Sequence, residues 1–547
     1  MESFLDSCKK LIDKAEIISF DIFDTLLLRS FLEPIDVFCT LEKNENRENF
    51  ASFRINAEPM AMQKLVTSQK DDVTFDEIYS EMPVEFQDMK EKEINFEENH
   101  LFLNPEMYDV FKYAETSGKK IIICSDMYLP EDILKKILVK KLKTDNFSLY
   151  VSSKYGCRKS TGRLFNYILS DLGVSSGQVL HIGDNETSDY KVPLSLGIKA
   201  VYYPKPIYSF LEDEHIKLFY GYYFESLSGR TFLAILSLLY QYYKESDYWK
   251  KFAFLYGGPL VYTYAQFIIQ SAKDDNLTDL AFVARDGYTL KKVFDLLNTD
   301  KKIKSHYVYA PRFTNLLAYL DFGSLYYVIQ SRMEALAEFL KENGLPINDP
   351  TEVYLYPNEL EKYSEKERLE YTNYLESLHL GQKVGVVDSI SHSYSAEKLI
   401  SKTLKQEVEG LYWWTLKSNK SENVQKKEYY TGKYIPNFSD IIEFLMSAPE
   451  KPIRRVLDLK PVYKNPISEY EQIKIDLYPT ISNTIIEFSK LIKKLNINLD
   501  IDDQMMFVWM SSFVLKADQN DFNKFENIKN GIDQGHNIYE PVLKKLN

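Results

Sequence analysis

The chain has 547 residues, of which 45% are hydrophobic and 27% are charged, and its formal net charge is −13. This length predicts about three to four domains, and the acidic balance argues against a nucleic-acid-binding surface. The four cysteines have no paired metal-binding spacing, which favours a reduced, cytoplasmic protein. We expect neither a signal peptide nor a transmembrane segment, because Met1–Lys14 is mixed polar and the apolar run Phe232–Tyr240 is too short to cross a bilayer.

Polar segments adjoin short apolar runs in the first part of the chain. The runs Ile17–Phe20, Ile121–Cys124 and Val179–Ile182 are typical of parallel strands that are buried on both faces. The carboxyl ends of such strands meet at one edge of a sheet, where ligands bind. The segments expected at this edge are Asp21-Ile22-Phe23-Asp24-Thr25, Cys124-Ser125-Asp126, Arg158-Lys159-Ser160, and Gly183-Asp184-Asn185 followed by Asp189.

These side-chain types suit the hydrolysis of a phosphate ester through a covalent intermediate. Asp21 and Asp184 offer the oxygen ligands that Mg²⁺ prefers. Asp21 can also attack phosphorus and form an aspartyl-phosphate. Asp24, three residues later, can protonate the leaving oxygen and later activate water.

The other polar groups of these segments are expected to hold the substrate. Ser125 and Lys159 are predicted to bind the transferring phosphoryl oxygens. Thr25 is a candidate substrate contact, and Asp189 is expected to orient Lys159 or the metal shell. Cys124 and His181, which flank the motifs, are interpreted as packing residues of the strands.

The four motifs, in this order, resemble those of the haloacid dehalogenase superfamily of phosphatases over about residues 15–205. Lys154 is an alternative to Lys159 for the third motif. Lys159 is preferred because the segment that it opens, Lys-Ser-Thr-Gly-Arg-Leu-Phe, begins a helix and fits the family pattern better. The segments Phe53-Arg54, Ala57-Glu58 and Ser125-Asp126-Met127-Tyr128 further resemble a bacterial subgroup of two-domain proteins.

The residues between the first and second motifs, about 30–115, have a helical pattern. Helices are predicted over Pro34–Leu41, Phe53–Val66, Phe75–Met82 and Glu85–Leu101, and Thr74 with Glu77 forms a capping box before the third. An insertion at this point resembles the helical cap of one subclass of the family. Such a cap would exclude water and select the substrate.

A second alternation of strands and helices follows a boundary at Tyr203-Pro204-Lys205-Pro206. The predicted strands are Leu280–Ala284, His306–Ala310 and Lys383–Val387. The predicted helices are Arg230–Lys244, Pro259–Ala272, Thr289–Leu297, helices between residues 325 and 376, and a helix from about Ala396. Alternation of this kind predicts a second open α/β domain.

The segments that follow these strands form a second candidate site. Hydroxyls and backbone N–H groups at the start of a helix can bind a phosphate, and an arginine at a strand end can bind a pyrophosphate. Asp388 is suited to ribose hydroxyls, Asp286 is a candidate base or metal contact, and Glu443 is a candidate base for the acceptor. The predicted substrate-binding residues are Arg285, Asp286, Gly287, Arg312, Asp388, Ser389, Ser391, Ser393 and Ser395. An ordinary strand-to-helix loop is the alternative interpretation of residues 388–395.

This second site resembles that of a phosphoribosyltransferase over about residues 230–455. The pairing of the two domains resembles bacterial ribofuranosyltransferases of polysaccharide biosynthesis. The resemblance implies transfer of ribose 5-phosphate from phosphoribosyl pyrophosphate (PRPP) to a glycan acceptor, followed by Mg²⁺-dependent removal of the 5-phosphate. It also implies polysaccharide-assembly partners. A sugar-phosphate phosphatase with a non-catalytic ligand-binding second domain, or a non-catalytic assembly protein, are the alternatives.

We therefore predict an α/β protein with three parts. Residues 1–210 form a haloacid dehalogenase-like Rossmannoid domain with its helical cap. Residues 211–459 form a phosphoribosyltransferase-like α/β domain, and residues 460–547 form a helical extension.

Overall fold

In the computed structural model, the chain divides into two compact units, residues 1–244 and residues 245–547. The structure describes residues 4–67, 69–321, 330–391, 393–416, 425–432, 437–531 and 538–545. Each unit contains a five-stranded parallel sheet, which confirms the predicted α/β class.

The elements of the first unit alternate between strands and helices. Its strands are β1 Ile17–Phe20, β2 Leu27–Arg29, β3 Leu101–Leu103, β4 Lys120–Ser125, β5 Ser148–Val151, β6 Val179–Gly183 and β7 Lys199–Tyr202. Its helices are α1 Phe4–Ile12, α2 Ile35–Glu45, α3 Phe50–Gln63, α4 Phe75–Tyr79, α5 Met89–His100, α6 Pro105–Thr116, α7 Glu131–Leu142, α8 Ser152–Tyr155, α9 Arg163–Leu172, α10 Val192–Ser195, α11 Pro206–Leu211, α12 Glu214–Tyr223 and α13 Leu227–Tyr240.

The first sheet has the strand order β5-β4-β1-β6-β7. The predicted strand Ile17–Phe20 is confirmed as β1, and it is buried on both faces because it lies at the centre of the sheet. The chain leaves β1 toward β4 but leaves β6 toward β7 on the other side. A crevice forms at such a reversal, so the carboxyl ends of β1 and β6 are the expected ligand-binding position.

Helices α2 to α5 form the predicted cap between β1 and β4. The capping box of Thr74 and Glu77 is confirmed at the start of α4. The predicted helix Glu85–Leu101 is instead a short turn over Val84–Phe86 followed by α5, and Leu101 begins β3. The difference arises because Leu101 pairs with Arg29 of β2 in an antiparallel ladder.

The first unit continues beyond the boundary predicted at residue 210. On α13, Arg230 donates from Nη2 to Oδ1 of Asp36 on α2 at 2.7 Å and from Nε at 3.0 Å. Asp36 is completely buried, so this bidentate pair fixes α13 to the cap. The structure therefore places Leu227–Tyr240 in the first unit, whereas the sequence analysis assigns these residues to the second domain.

The second unit contains the remaining elements. Its strands are β8 Asp279–Val283, β9 Lys304–Val308, β10 Val384–Ser391, β11 Glu409–Thr415, β12 Lys426–Glu428, β13 Ile453–Leu457, β14 Lys460–Tyr463, β15 Lys529–Gly531 and β16 Tyr539–Pro541. Its helices are α14 Tyr248–Phe252, α15 Gly258–Asp274, α16 Gly287–Leu297, α17 Arg312–Ala318, α18 Gln330–Glu342, α19 Pro357–Ser377, α20 Ser395–Leu404, α21 Ser439–Leu445, α22 Glu469–Leu495, α23 Asp503–Lys516 and α24 Gln519–Phe525.

The second sheet has the strand order β12-β11-β10-β8-β9. The chain leaves β8 toward β9 and leaves β10 toward β11, so the order reverses between β8 and β10. Helix α22, in the predicted C-terminal extension, packs against α15 and α16. The helices predicted between residues 325 and 376 lie partly outside the described residues.

One described stretch, Tyr248–Asp274, is long and apolar enough to cross a membrane by length and composition. Its most apolar window is 78% buried within the protein. Because the core helices of soluble proteins pass the same test, this stretch is weak evidence for a membrane span.

The cap contains a buried ion pair whose removal we expect to destabilise the first unit. Arg54 and Glu93 have no exposed side-chain surface, and Arg54 donates from Nη2 to Glu93 Oε1 at 2.9 Å. Arg54→Ala would leave a buried carboxylate without its cation, at a cost of about 3–5 kcal/mol. The measurement is urea unfolding of the first unit by far-ultraviolet circular dichroism.

The matched control is Arg47→Ala, since Arg47 pairs at 2.9 Å with Asp88, which is half exposed. A partly solvated pair of this kind is worth less than about 1 kcal/mol. Equal losses in the two variants would contradict the structural role of the buried pair.

Candidate active site and a second carboxylate cluster

The first and fourth motifs meet at the reversal point of the first sheet. Asp21 directly follows β1, and its backbone N–H donates to the carbonyl of Ile182 in β6 at 2.9 Å. Ser125 is the last residue of β4, beside β1, and Asp184 directly follows β6. Parallel strands thus bring residues that are distant in sequence to one edge of the sheet.

The third motif supplies the ammonium of this site. Lys159 Nζ lies 2.5 Å from Asp21 Oδ1 and 2.6 Å from Asp189 Oδ1, and the three side chains are buried. Lys154 instead pairs with Glu131 at 2.7 Å, with half of its own side chain exposed. The structure therefore brings Lys159, and not the alternative Lys154, into the site.

Asp189 is held by a buried network that extends into the sheet. Its Oδ2 accepts from the backbone N–H of Asn185 at 3.0 Å, and its Oδ1 lies 3.1 Å from His181 Nε2. The other ring nitrogen, Nδ1, lies 2.8 Å from Ser19 Oγ. His181, interpreted above as a packing residue, therefore orients Asp189 through a hydrogen bond. The available signal was that Ser19 and His181 are polar residues within apolar runs, and they pair across β1 and β6.

Gly183 is required for this approach of Asp189 to the strand. A Cβ atom at residue 183 would lie 2.6 Å from Cβ of Asp189, which is closer than two such atoms can pack. Any larger residue would displace Asp189 and with it the contact to Lys159.

Three carboxylates of the site are close enough to share a metal ion. One oxygen from each of Asp21, Asp184 and Asp189 lies within 4.8 Å of the others. Burial raises the pKa of Asp21 to about 7. The charges of Asp189 and Asp184 raise this pKa further, whereas the charge of Lys159 lowers it. Burial and the charge of Asp24 raise the pKa of Asp184 to about 6.

Such crowding of carboxylates is costly until a cation neutralises them, and an all-oxygen set is the ligand type that Mg²⁺ prefers. The predicted Mg²⁺ cofactor therefore fits these residues, with Asp21 and Asp184 as the predicted ligands. Thr25, predicted to contact the substrate, donates from Oγ1 to Oδ1 of the candidate metal ligand Asp184 at 3.3 Å.

Asp24 lies at the same edge and has a partner that the sequence analysis missed. Its backbone is left-handed, with φ 55°. Its Oδ2 lies 2.7 Å from Lys205 Nζ, which is also 3.7 Å from Asp184 Oδ2. Lys205 follows β7, whose carboxyl end reaches this edge, whereas the sequence analysis treats Tyr203-Pro204-Lys205-Pro206 only as a boundary.

Asp126 positions the third motif by accepting from its backbone. Asp126 Oδ1 accepts from the N–H of Lys159 at 2.7 Å, and Oδ2 accepts from the N–H of Ser160 at 3.4 Å. These bonds fix the backbone from which the Lys159 side chain extends to Asp21.

Comparison with known proteins agrees with this geometry. Residues 15–197 match the family of haloacid dehalogenase-like hydrolases. The first unit contains a haloacid dehalogenase-like hydrolase domain. The four segments named in the sequence analysis all lie within the matched residues, and the family uses Mg²⁺. No curated protein sequence matches the chain.

Solved structures also resemble part of the chain. A haloacid dehalogenase family enzyme from Bacteroides thetaiotaomicron, in complex with magnesium and inorganic phosphate, is 16% identical, with a TM-score of 0.27, over 35% of this chain and 95% of that chain. A 2-haloacid dehalogenase from Pseudomonas syringae pv. tomato is 14% identical, with a TM-score of 0.25, over 35% of this chain and 86% of that chain.

In the second unit, Asp286 and Asp388 lie at the reversal between β8 and β10. Ser389 Oγ donates to Asp286 Oδ2, and the Ser389 N–H donates to Asp388 Oδ1 at 2.9 Å. Tyr264 OH donates to the carbonyl of Asp388 at 2.7 Å. The structure thus brings Asp286, Asp388 and Ser389 together at the position where open α/β sheets bind ligands.

The first half of the segment Asp388–Ser395 is strand and not a loop. Strand β10 continues to Ser391, because Ile390 and Ser391 pair with Trp414 and Thr415 of β11. Ser391 Oγ accepts from the N–H of Tyr394 at 3.0 Å, Ser393 is exposed, and Ser395 begins α20. His392 lies outside the described residues. Ser389 and Ser391 thus belong to β10 and Ser395 to α20, and phosphate binding by these serines stays a prediction.

Arg285, predicted to bind pyrophosphate, is bound within the protein. Its guanidinium pairs with Glu471 of α22, and its backbone N–H donates to Tyr307 OH at 2.8 Å. Gly287, another predicted contact, has a packing role, since a Cβ there would lie 2.8 Å from Cβ of Phe282.

Among the described residues, Arg312 is a cation that remains available to a ligand of this cluster. It is exposed at the first position of α17, and among the described residues it has neither a hydrogen bond nor an ion pair within 4.0 Å. Its charge nevertheless lowers the pKa of Asp286, Asp388 and Glu443, so it lies near all three carboxyl groups.

The carboxyl groups of this cluster are expensive to ionise. Burial, and then the charge of Asp286, raises the pKa of Asp388 to about 8. The same two causes raise the pKa of Glu443 to about 7. A group whose pKa is higher in the folded than in the unfolded chain stabilises the fold below its unfolded pKa, and this contribution is lost as the pH rises to the folded value.

We therefore expect Asp388→Asn to raise the stability of the second unit at pH 8 and to change it little at pH 4. An unfolded aspartate has a pKa of about 3.9, so the cost of ionisation accumulates between about pH 4 and pH 8. The gain in unfolding free energy at pH 8 should be on the order of 1–3 kcal/mol, because each unit of difference between the folded and unfolded pKa of Asp388 corresponds to about 1.36 kcal/mol.

Urea unfolding followed by tryptophan fluorescence isolates this effect, because Trp249, Trp413, Trp414 and Trp509 all belong to the second unit. The control is Asp476→Asn, since Asp476 is exposed and accepts only from Gln472, at 2.8 Å, among the described residues. A gain that does not grow between pH 4 and pH 8 would contradict the shifted titration.

Proposed function

We propose that the first site hydrolyses phosphate monoesters through an aspartyl-phosphate, and that the second unit supplies its substrate by phosphoribosyl transfer. The hydrolase part rests on the haloacid dehalogenase-like domain and its Mg²⁺ cofactor. The observation that carries the choice of a phosphate ester is the cluster of Asp21, Asp184 and Asp189 within 4.8 Å beside Lys159. A phosphate dianion needs such a combination of metal and ammonium, whereas an uncharged alkyl halide has no charge to neutralise.

The proposed reaction has two steps that reuse the same residues. An oxygen of Asp21 attacks phosphorus, the bond to the ester oxygen breaks, and Asp24 gives its proton to that oxygen. Water then attacks the aspartyl-phosphate, gives a proton to Asp24, and inorganic phosphate leaves. Ser125 and Lys159 hold the phosphoryl oxygens, and Asp21 and Asp184 would hold the Mg²⁺, which would supply positive charge for the phosphate.

Asp21→Asn is expected to lower kcat/KM for ribose 5-phosphate by at least about 10³-fold, since the amide cannot attack phosphorus. The chelator EDTA should abolish the wild-type activity, and added Mg²⁺ should restore it. Phosphate release with ribose 5-phosphate and p-nitrophenyl phosphate measures both effects. Asp132→Asn, at an exposed site on α7, is the matched control. Normal turnover by Asp21→Asn, or by wild type in excess EDTA, would refute the mechanism.

For the second unit, we propose transfer of ribose 5-phosphate from PRPP to a hydroxyl of a glycan acceptor. Asp388 is assigned to the ribose hydroxyls and Arg312 to the pyrophosphate, because Arg285 is paired with Glu471. Glu443, whose pKa burial raises to about 7, is assigned as the acceptor base. The acceptor oxygen bonds to C1 of ribose, the bond from C1 to pyrophosphate breaks, and the acceptor proton passes to Glu443. The first site would then remove the 5-phosphate.

A ligand-binding second unit without transferase activity is the alternative, and the extension of β10 through Ser391 favours it, because that strand takes up the first half of the expected phosphate loop. Pyrophosphate release from PRPP with Mg²⁺ and a bacterial glycan acceptor separates the two possibilities.

Under the transferase proposal, Arg312→Ala should lower pyrophosphate release by about 10²-fold or more, as expected for loss of a cation that binds the leaving group. The Asp21→Asn protein should accumulate a product that is heavier by one phosphate in mass spectrometry. If PRPP binds and quenches tryptophan fluorescence but no pyrophosphate appears with any ribofuranose-type acceptor, the binding-unit alternative is favoured.

A further inference from the structure

Arg29 is folded back onto the catalytic segment of the first site. The N–H of Asp24 donates to the carbonyl of Leu27 at 2.7 Å, and the N–H of Leu27 donates to the carbonyl of Ile22 at 2.8 Å. This tight turn places β2 beside the segment that begins at Asp21. As a result, Cζ of Arg29 lies 4.1 Å from the centre of the Phe23 ring.

The guanidinium of Arg29 is nearly buried and under-used. Its side chain is 11% exposed, and its nearest acidic partner, Glu97 on cap helix α5, lies 3.7 Å from Nε. This distance exceeds a hydrogen bond, and Nε is buried without a hydrogen-bond partner among the described residues. None of the hydrogen bonds between described residues uses its other donors. A guanidinium offers five N–H donors, and leaving a buried charged donor unsatisfied is costly.

Arg54, also in the cap, shows what a purely structural arginine looks like here. Two of its three nitrogens, Nε and Nη2, donate to Glu93 at distances of 2.9 to 3.2 Å, whereas Nη1 is buried without a hydrogen bond and lies 3.9 Å from Glu58. Both arginines lie over aromatic rings, but the Arg29 side chain makes no hydrogen bond among the described residues and has only the long ion pair to Glu97. A side chain that is fixed in place with unused donors is suited to bind an anionic oxygen of a ligand.

The charges around Arg29 indicate which part of the substrate it would meet. Glu97, Asp24, Tyr128 and Asp21 raise its pKa against the effect of burial, so it remains a cation. Its contact with the Phe23 ring places it beside the segment that carries Asp21 and Asp24. In the proposed mechanism, Ser125, Lys159 and Mg²⁺ already serve the transferring phosphoryl oxygens. The ester oxygen must lie opposite Asp21 in an in-line attack, near the proton donor Asp24.

We propose that Arg29 donates a hydrogen bond to the ester oxygen of a phosphate monoester and stabilises the negative charge that develops as this oxygen leaves. The inference rests on the phosphatase activity proposed above and names a further residue of its catalytic site. Asp24 still provides the proton, and Arg29 lowers the charge that this oxygen carries before the proton arrives.

The test compares substrates whose leaving groups differ in basicity. Arg29→Gln should lower kcat/KM by about 10²-fold for ribose 5-phosphate, whose alkoxide needs stabilisation, but by less than about 10-fold for p-nitrophenyl phosphate. The loss should lie in kcat and not in KM, because the charge develops in the transition state. Arg47→Gln, which changes a partly exposed cap arginine paired with Asp88, should leave both substrates unaffected.

Arg29→Lys keeps the charge and serves if Arg29→Gln does not fold, as judged by circular dichroism. It should retain more activity toward ribose 5-phosphate than Arg29→Gln, or, when tested alone, should lose more with ribose 5-phosphate than with p-nitrophenyl phosphate. Equal losses with both substrates, or no loss, would overturn the proposal while the phosphatase function stands. Wild-type protein that releases phosphate from neither substrate with Mg²⁺ would overturn both.

Discussion

The first unit is organised around the cost of placing like charges together. Asp21, Asp184 and Asp189 bring three carboxylate oxygens within 4.8 Å of one another at the end of a buried sheet. Such an arrangement is tolerated only where cations and hydrogen bonds compensate it. Lys159 contacts both Asp21 and Asp189, and His181 forms a further hydrogen bond with Asp189 from within the sheet. A bound Mg²⁺ would supply the positive charge that the three carboxylates still need.

The two sheets use the same geometric device with different compensation. In both, polar groups follow the strands at which the order of the sheet reverses. The first site holds a buried lysine in direct contact with its carboxylates, whereas the second places Asp286 and Asp388 near an exposed Arg312 that makes no ion pair with them among the described residues. In the second unit, burial and neighbouring charge raise the pKa of Asp388 to about 8 and that of Glu443 to about 7, so these carboxyl groups are harder to ionise than free ones. The first site is instead prepared for a divalent cation.

The sequence by itself determined the features that depend on neighbours along the chain. The apolar run Ile17–Phe20 gives β1, and the capping box of Thr74 and Glu77 starts α4. The order of the four motifs indicated a phosphoryl-transfer site, because parallel strands that end in polar residues must present them at one edge. The predicted ends of β1, β8 and β9 agree with the structure to within a few residues, because a turn or loop follows each of these strands. The prediction was wrong at Val387, where the strand continues through residues that are polar but paired with β11.

The tertiary structure alone decided which polar groups are compensated and by which partner. Local sequence favoured Lys159 but left Lys154 as an alternative, and the fold brings Lys159 to Asp21, which is 138 residues away. Arg285 is paired with Glu471, 186 residues later, so that its availability to a ligand could not be judged from its position after a strand. The physical reason is common to both cases. A buried charge is stable only beside a partner, and the fold, not the neighbouring sequence, brings the partner to it.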